Sequence, residues 1–239
     1  MTKANVTYDN SRIMKAKKII SVLSDYRGMS TKPIYNLCLD IGSNKGIITH
    51  EISSYCNRVI GIDNSLELIK SSYVNKTENI DFLAGDGLLL PFKDNTFDLV
   101  ICAQVYEHTT SPGLLLKEIY RILRPGAVCF FSGPNRLWPY EYHYRWYFLH
   151  WLPRRLLDIY FRLIYKRNFD LYLLNYWQIM KMCSKFNVID YTTYVAYELG
   201  DFVIEEKMLM NLLTAIIPRS FAKHITFLFP NFNWILLKP

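Results

Sequence analysis

Short apolar runs alternate along the first half of the chain with segments in which apolar residues recur at helical spacing. The runs predict five β-strands at residues 37–41, 58–63, 80–84, 97–102 and 127–132. A leading helix is predicted between Ile13 and Leu23, and a later helix begins at the Ser111–Pro112 pair, a cap followed by proline at the first helical position. Strands that alternate with helices at this interval predict a mostly parallel sheet with helices on both faces.

The alternation is interrupted after Pro134. Residues 138–177 are dense in Tyr, Trp, Phe and Arg and predict a helical insertion; a helix at 177–186, a strand at 188–195, an apolar helical segment at 208–217 and a last strand at 234–237 follow. We therefore predict one α/β domain over residues 1–239, with a doubly wound, mostly parallel seven-stranded sheet whose last strand is antiparallel. Its core covers about 36–135, a helical aromatic-rich lid or insertion about 136–175, and C-terminal strands and helices about 176–239.

The composition limits the class of protein more than it identifies a function. With 51% hydrophobic and 21% charged residues, the chain resembles a folded globular protein, and its net charge of +7 favours an anionic partner without choosing one. The five cysteines are scattered, and three fall in predicted strands. We interpret them as buried core residues in a reducing compartment rather than as disulfides or metal ligands.

The sequence shows no secretory leader, because residues 1–8 are polar, and no uninterrupted apolar run of membrane-spanning length. The expected location is the cytoplasm. Peripheral contact with a membrane surface is a further hypothesis.

Three acids lie at or just after the ends of predicted strands. They are Asp40, Asp63 and Asp86. Ligands bind at the carboxyl ends of strands in an open parallel sheet, so the three acids should converge on one crevice. Asp63 lies about 20 residues beyond the first glycine of the turn after the first strand, where an acid accepts hydrogen bonds from ribose hydroxyls. Asp86, next to Gly87, could accept a hydrogen bond from an adenine amino group.

The turn after the first strand is Gly42-Ser43-Asn44-Lys45-Gly46. A tight glycine turn between a strand and a helix is typical of a nucleotide-binding corner. Asp40 beside it would repel a diphosphate but attract a cationic ligand such as S-adenosylmethionine. Asn44 stands where a middle glycine is expected, and asparagine tolerates left-handed backbone angles better than most residues.

The ordered motifs of residues 36–135 resemble the class I S-adenosylmethionine-dependent methyltransferases, particularly those related to quinone biosynthesis. The segments that carry the resemblance are Asp40–Gly46, Gly61–Ser65, Gly85–Phe92, Thr96–Val100, Glu107-His108, Arg121–Gly126 and Pro134-Asn135. Two positions depart from the family pattern, because Asn44 and Ala127 each replace a glycine.

The resemblance implies a Rossmann-like fold, S-adenosylmethionine as cofactor and methyl transfer to a small-molecule or lipid-linked acceptor. The residues expected to bind the cofactor are Asp40, Gly42, Ser43, Asn44, Gly46, Asp63, Asn64, Asp86, Gly87 and Gln104. Methyl transfer needs chiefly alignment of the acceptor with the activated methyl group, and an oxygen or carbon acceptor also benefits from a general base. The chemistry of the acceptor atom and the oligomeric state stay open.

The candidate catalytic residues are His108 and Glu107, just past the fourth strand, and His143 in the insertion, with Glu141 as an alternative base. A competing interpretation gives Glu107 and His108 a structural role at the next helix, and makes Glu141 and His143 ordinary surface residues. No metal ligand is predicted.

The aromatic and basic insertion allows several interpretations. Tight packing of a lid is the simplest, and contact of its aromatic and Arg/Lys side chains with an anionic membrane surface is the sharper hypothesis. Nucleic-acid binding is disfavoured because no recognisable RNA-binding module is present. For the whole protein, a non-catalytic S-adenosylmethionine-binding protein is the main alternative to an enzyme, and a nicotinamide oxidoreductase is disfavoured by Asp40 and by the glycine spacing.

Overall fold

A computed structural model describes residues 3–28, 35–141, 143–199 and 213–239 of the protein. Its strands are β1 (Tyr35–Ile41), β2 (Cys56–Asp63), β3 (Ile80–Ala84), β4 (Phe97–Ala103), β5 (Leu123–Pro134), β6 (Tyr140–Glu141), β7 (Trp146–Tyr147), β8 (Asn187–Asp190) and β9 (Asn231–Leu237). Its helices are α1 (Lys3–Arg27), α2 (Ile47–Ser53), α3 (Leu66–Ser72), α4 (Pro112–Ile122), α5 (Arg154–Tyr165), α6 (Tyr176–Met182), α7 (Thr192–Glu198) and α8 (Arg219–Ala222).

The main sheet has seven strands in the order β3-β2-β1-β4-β5-β9-β8. Strands β1 to β5 run parallel to one another, whereas β9 pairs antiparallel with both β5 and β8. The predicted fold class is therefore confirmed, including the antiparallel last strand. The reversal of strand order between β1 and β4 opens a crevice at the carboxyl ends of these two strands, where such sheets bind ligands.

Both faces of the sheet are buried, which explains why its strands are nearly continuous apolar runs. Leu39 and Ile41 of β1 pack on one face with residues of α4 and α6. Cys38, which points to the opposite face, packs with residues of α1 and α2. The five cysteines are buried free thiols.

The C-terminal strand prediction was partly wrong. The strand predicted at 188–195 ends at Asp190, and α7 begins at Thr192. The β-branched and aromatic residues from 191 to 195 favoured a strand by propensity, but the Asp190 carboxylate accepts the amide hydrogen of Thr192 at 2.8 Å. This satisfies a backbone donor at the start of a helix and so favours helical continuation.

The insertion after β5 is less helical than predicted. It contains the β6–β7 hairpin, a 3₁₀ turn at Leu149–Trp151 and α5, and an irregular segment then leads to α6. Of the apolar segment predicted at 208–217, residues 208–212 lie outside the described residues, and 213–216 are helical. Within the described ranges, no helix has both the length and the apolar character needed to cross a membrane.

Candidate active site

The loop between β1 and α2 is held in place by the end of β2. The amides of Gly42 and Ser43 donate to the Ile62 carbonyl at 2.8 and 3.0 Å, and the amide of Asn44 donates to Oδ2 of Asp63 at 2.9 Å. The other carboxylate oxygen of Asp63 accepts the amide hydrogen of Ser65 at 2.9 Å. Asp63 therefore fixes two loops at once, the glycine loop and the one that opens α3.

Asn44 adopts the left-handed conformation expected of the glycine it replaces, with φ of 52°. Its Oδ1 atom accepts the amide hydrogen of Lys45 at 2.8 Å. Such a local bond is the reason asparagine tolerates this region of backbone space. The departure from the glycine pattern thus leaves the loop geometry intact.

The glycines at the two ends of this loop are required by both backbone angle and space. Gly42 has φ of 71°, and a Cβ there would lie 2.7 Å from Cγ2 of Val105. Gly46 has φ of 75°, and a Cβ there would lie 2.5 Å from Cζ of Phe82. The loop can therefore pack tightly on β3 and on the segment after β4 only with glycine at these positions.

A cavity of about 320 Å³ opens above this loop. It is lined by Arg12, Ile41, Gly42, Asn44, Ile62, Asp63, Asn64, Leu68, Gly85, Asp86, Gly87, Gln104, Val105, His108 and Thr109. Seven of the ten residues predicted to bind the cofactor are among them, together with the predicted catalytic residue His108. Ser43, Gly46 and Asp40 do not line this cavity.

Asp40 lies beneath the loop, with only 3% of its surface exposed. The Thr49 hydroxyl donates to its Oδ2 atom at 2.6 Å. Burial raises the pKa of the Asp40 carboxyl to about 7, against opposing contributions from Thr49 and from the Arg12 guanidinium. From this position Asp40 can act on a ligand through its charge rather than by contact.

The far side of the cavity is shaped by β3 and β4. The Oδ1 atom of Asp86 accepts the amide hydrogen of Leu88 at 2.9 Å. Gln104 has a left-handed backbone with φ of 59°, and its side-chain nitrogen donates to Oδ1 of Asn231 on β9 at 3.2 Å. Asp86, after β3, and Gln104, after β4, are therefore held by separate contacts at the same opening.

The three predicted catalytic residues lie close together, and His108 is the one of them that lines the cavity. Glu107, His108 and His143 each offer a ligand-type atom, and these atoms all lie within 4.8 Å of one another. The rings of His108 and His143 meet edge to face, with centroids 5.1 Å apart. The insertion is tied to this point by the amide of Tyr172, which donates to the Glu107 carbonyl at 2.7 Å. Residues separated by 35 positions in the sequence thus form one cluster.

His143 is oriented by Glu141, which is 2% exposed. One carboxylate oxygen of Glu141 contacts Nδ1 of His143 at 2.8 Å and accepts its amide hydrogen at 3.0 Å; the other accepts the Tyr144 amide at 2.6 Å. Burial raises the pKa of Glu141, but these hydrogen bonds outweigh it and lower the pKa overall. Desolvation lowers the pKa of His108, and the His143 ring lowers it further.

Comparison with known proteins shows what the core of the chain is similar to. Residues 39–131 match the family model of the methyltransferase domain. This segment, 93 of the 239 residues, is similar to a class I methyltransferase domain. Demethylmenaquinone methyltransferase of Corynebacterium kroppenstedtii is 36% identical over 99 residues, which cover 40% of this chain and 42% of the relative. Sterol 24-C-methyltransferase of Saccharomyces cerevisiae is 35% identical over 100 residues, or 39% and 26% of the two chains. The alignments thus span less than half of either relative.

Solved structures agree with the class I methyltransferase fold. A Haloferax volcanii protein in complex with the Trm112 methyltransferase activator superimposes with a TM-score of 0.53 at 17% identity, over 85% of this chain and 83% of its own. The [4+2]-cyclase SpnF superimposes with a TM-score of 0.55 at 16% identity, over 93% and 81%. Since one of these proteins is a cyclase, the fold alone does not assign the reaction.

Members of the class I methyltransferase family use S-adenosylmethionine, which confirms the predicted cofactor. The polar side chains around the cavity fit it, because carboxylates on β2 and after β3 can accept hydrogen bonds from its hydroxyl and amino groups, and the site also contains Arg12. Arg12 was not among the predicted site residues. The sequence carries no signal for it, since the proximity of α1 to the glycine loop is a product of the fold.

Proposed function

We propose that the protein transfers a methyl group from S-adenosylmethionine to a small lipophilic acceptor. The observation that carries this proposal is the single cavity that joins the glycine loop and the strand-end acids to His108. A cofactor held by the glycine loop and the strand-end acids would present its methyl group toward His108. Such alignment supplies most of the rate enhancement when the sulfonium is already activated.

In the proposed binding mode, Asp63 accepts hydrogen bonds from the ribose hydroxyls and Asp86 from the adenine amino group. Each oxygen of Asp63 accepts one backbone amide, and so does Oδ1 of Asp86. These bonds fix the orientation of both carboxylates and leave lone pairs that can accept further hydrogen bonds from a ligand. Arg12 is placed to pair with the carboxylate of the methionine moiety. In its ionised form, the buried Asp40 adds a negative charge that favours the cationic sulfonium over its neutral product.

His108 is the residue placed to accept a proton from the acceptor, because it lines the cavity. Its lowered pKa keeps the imidazole neutral near pH 7, as a general base requires. Glu141 orients the His143 ring, which packs against the His108 ring. We propose that the insertion over residues 136–175 serves as the lid of the acceptor site.

A lipophilic acceptor is supported by the relatives, which are named for demethylmenaquinone and sterol substrates. The surface of the insertion supports it independently. Between residues 146 and 165, ten large apolar side chains are exposed, among them Leu163 at 76% and Ile164 at 60%. The exposed cations Arg155, Arg162 and Lys166 lie on the same helix or at its end.

We propose that this surface rests on an anionic membrane, with aromatic rings at headgroup level and the cations on lipid phosphates. An amphipathic helix with basic flanks is the usual form of such an anchor. The arrangement would let the acceptor enter the cavity from the bilayer. The protein, whose described residues include no membrane-spanning helix, would then lie at the membrane periphery.

The test is incubation of the purified protein with S-adenosylmethionine labelled in its methyl group, in parallel with lipid and aqueous extracts of cells. We expect label in the organic phase, and much less of it when Asp63→Ala replaces the native protein at a limiting concentration of cofactor. Label confined to the aqueous phase would contradict the lipophilic acceptor. If S-adenosylhomocysteine binds by calorimetry and neither extract becomes labelled, the non-catalytic cofactor-binding alternative is favoured.

A further inference from the structure

We propose that Glu107, His108 and His143 bind a divalent transition-metal ion at the rim of the cavity, and that the ion holds an oxygen atom of the acceptor. The inference rests on the proposed function for the position of the acceptor. The metal-binding part stands on the geometry of the three side chains alone.

The three side chains form a set of donors that suits a metal ion. Their ligand-type atoms lie within 4.8 Å of one another, so small adjustments in side-chain torsion bring all three onto one ion. Two imidazole nitrogens and one carboxylate oxygen favour Zn²⁺, Mn²⁺ or Fe²⁺ over Mg²⁺ and Ca²⁺, which prefer oxygen ligands. The buried carboxylate of Glu107 supplies the negative charge that such sites use to retain a cation.

The partner of His143 is an independent observation that points the same way. The Oε1 atom of Glu141 lies 2.8 Å from Nδ1 of His143. This contact holds the ring through Nδ1, so Nε2 is the ring nitrogen directed away from Glu141. A carboxylate that orients a histidine through its second nitrogen is the usual outer support of a metal-ligating histidine. The same carboxylate holds the amides of His143 and Tyr144, so the imidazole is fixed on a rigid turn.

The position of the cluster explains what the ion would do. His108 belongs to the lining of the candidate cofactor cavity, so coordination positions not used by protein would face that cavity. Three protein ligands with open positions are typical of catalytic rather than structural metal sites. With its lone pair on the ion, His108 would no longer serve as the base. An acceptor hydroxyl bound to the ion would instead lose its proton to solvent more readily, as metal-bound water does.

In the resulting step, the acceptor oxygen forms a bond to the methyl carbon while the bond from that carbon to sulfur breaks. The sulfur keeps the electron pair, which converts the cationic cofactor into neutral S-adenosylhomocysteine. The products are a methyl ether and one proton. The proposal therefore assigns the acceptor to the hydroxyl or phenol class.

Metal binding is tested on the full chain after removal of metals with a chelator. Titration with Co²⁺, followed by visible absorption, and competition with Zn²⁺ are expected to show one ion bound per chain. Replacement of a ligand in His108→Ala or His143→Ala should weaken Co²⁺ binding more than the loss of an outer partner in Glu141→Gln. For that outer partner, the expected weakening is about 10- to 100-fold.

His224→Ala is the matched control, because His224 is exposed and lies on the far C-terminal part of the chain. Its Co²⁺ affinity should equal that of the native protein. The proposal is overturned if the native protein binds no Co²⁺, or if His143→Ala and Glu141→Gln bind it as tightly as His224→Ala does.

Calorimetry with S-adenosylhomocysteine on the same metal-free samples separates the two proposals and reports folding of each variant. Cofactor binding without Co²⁺ binding rejects the metal site and leaves the proposed methyl transfer standing. Co²⁺ binding without cofactor binding rejects the proposed function and keeps the metal site.

Discussion

The Oδ2 atom of Asp63 accepts the amide hydrogen of Asn44 at 2.9 Å, which joins the acid at the end of β2 to the middle of the glycine loop. The contact gives one carboxylate two tasks, because a residue expected to bind the cofactor also holds the loop that surrounds it. Replacement of this residue should therefore affect cofactor binding by more than the loss of its direct contacts.

We expect Asp63→Ala to weaken S-adenosylhomocysteine binding by about 10- to 100-fold, measured by calorimetry. The estimate corresponds to hydrogen bonds of a charged group, each contributing about 1.5–3 kcal/mol. Asp81→Asn is the control, because Asp81 is exposed and pairs with Arg58 away from the cavity. An unchanged affinity in Asp63→Ala would show that the cavity is not the cofactor site.

Asp40 should make the stability of the protein depend on pH near neutrality. Its pKa is about 7 in the folded protein, above the 3.8 of an unperturbed aspartate, so the folded state disfavours ionisation. The contribution of protonated Asp40 to the free energy of unfolding is fully present below the pKa of the unfolded chain, 3.8. It is lost as pH rises through the folded pKa of about 7. At about 1.4 kcal/mol per pH unit, the loss approaches ~4 kcal/mol.

Asp40→Asn should therefore unfold at higher urea concentration than the native protein at pH 8, and the difference should shrink toward pH 4. Asparagine retains an oxygen that can accept the Thr49 hydroxyl, so the variant tests charge rather than hydrogen bonding. A variant less stable than the native protein at pH 8 would contradict the burial of an ionisable carboxyl at this position.

The sheet and the cofactor half of the site could be predicted because their determinants are local in sequence. Apolar runs mark the strands, and parallel strands end at the same edge of a sheet, so Asp63 and Asp86 were placed without knowledge of tertiary contacts. Asn44 was also recognisable, since few residues other than glycine adopt its backbone angle.

The acceptor half was harder because it depends on how distant segments pack. His143 was named as a candidate, yet nothing in the sequence indicates that the insertion folds back to bring it to His108, so no metal ligand was predicted. Arg12 was missed for the same reason. At 191–195, β-propensity outweighed a short capping signal from Asp190 and gave a strand where α7 lies.

Gly46→Ala should destabilise the protein by more than a left-handed backbone angle alone requires. An alanine there has φ of 75° and places Cβ 2.5 Å from Cζ of Phe82. Gly126→Ala is the matched control, because Gly126 has φ of 76° with nothing within 4 Å of the added atom. We expect about 1–2 kcal/mol for the control by urea unfolding, and a larger loss for Gly46→Ala. Equal losses would mean that Phe82 yields to the added methyl group at no cost.

Leu163→Glu should release the protein from anionic vesicles without unfolding it. Leu163 is 76% exposed on α5, so its replacement removes apolar contact with lipid and adds a charge that lipid phosphates repel. Val74→Glu is the matched control, because Val74 is 89% exposed but lies outside the insertion.

In flotation with phosphatidylserine-containing liposomes, we expect the native protein and Val74→Glu to float at low salt, with Leu163→Glu left at the bottom. High salt should weaken flotation of the native protein and of Val74→Glu, because the basic residues act through screened charge. Failure of the native protein to float at low salt would exclude the membrane contact, and flotation of Leu163→Glu equal to that of Val74→Glu would remove α5 from it.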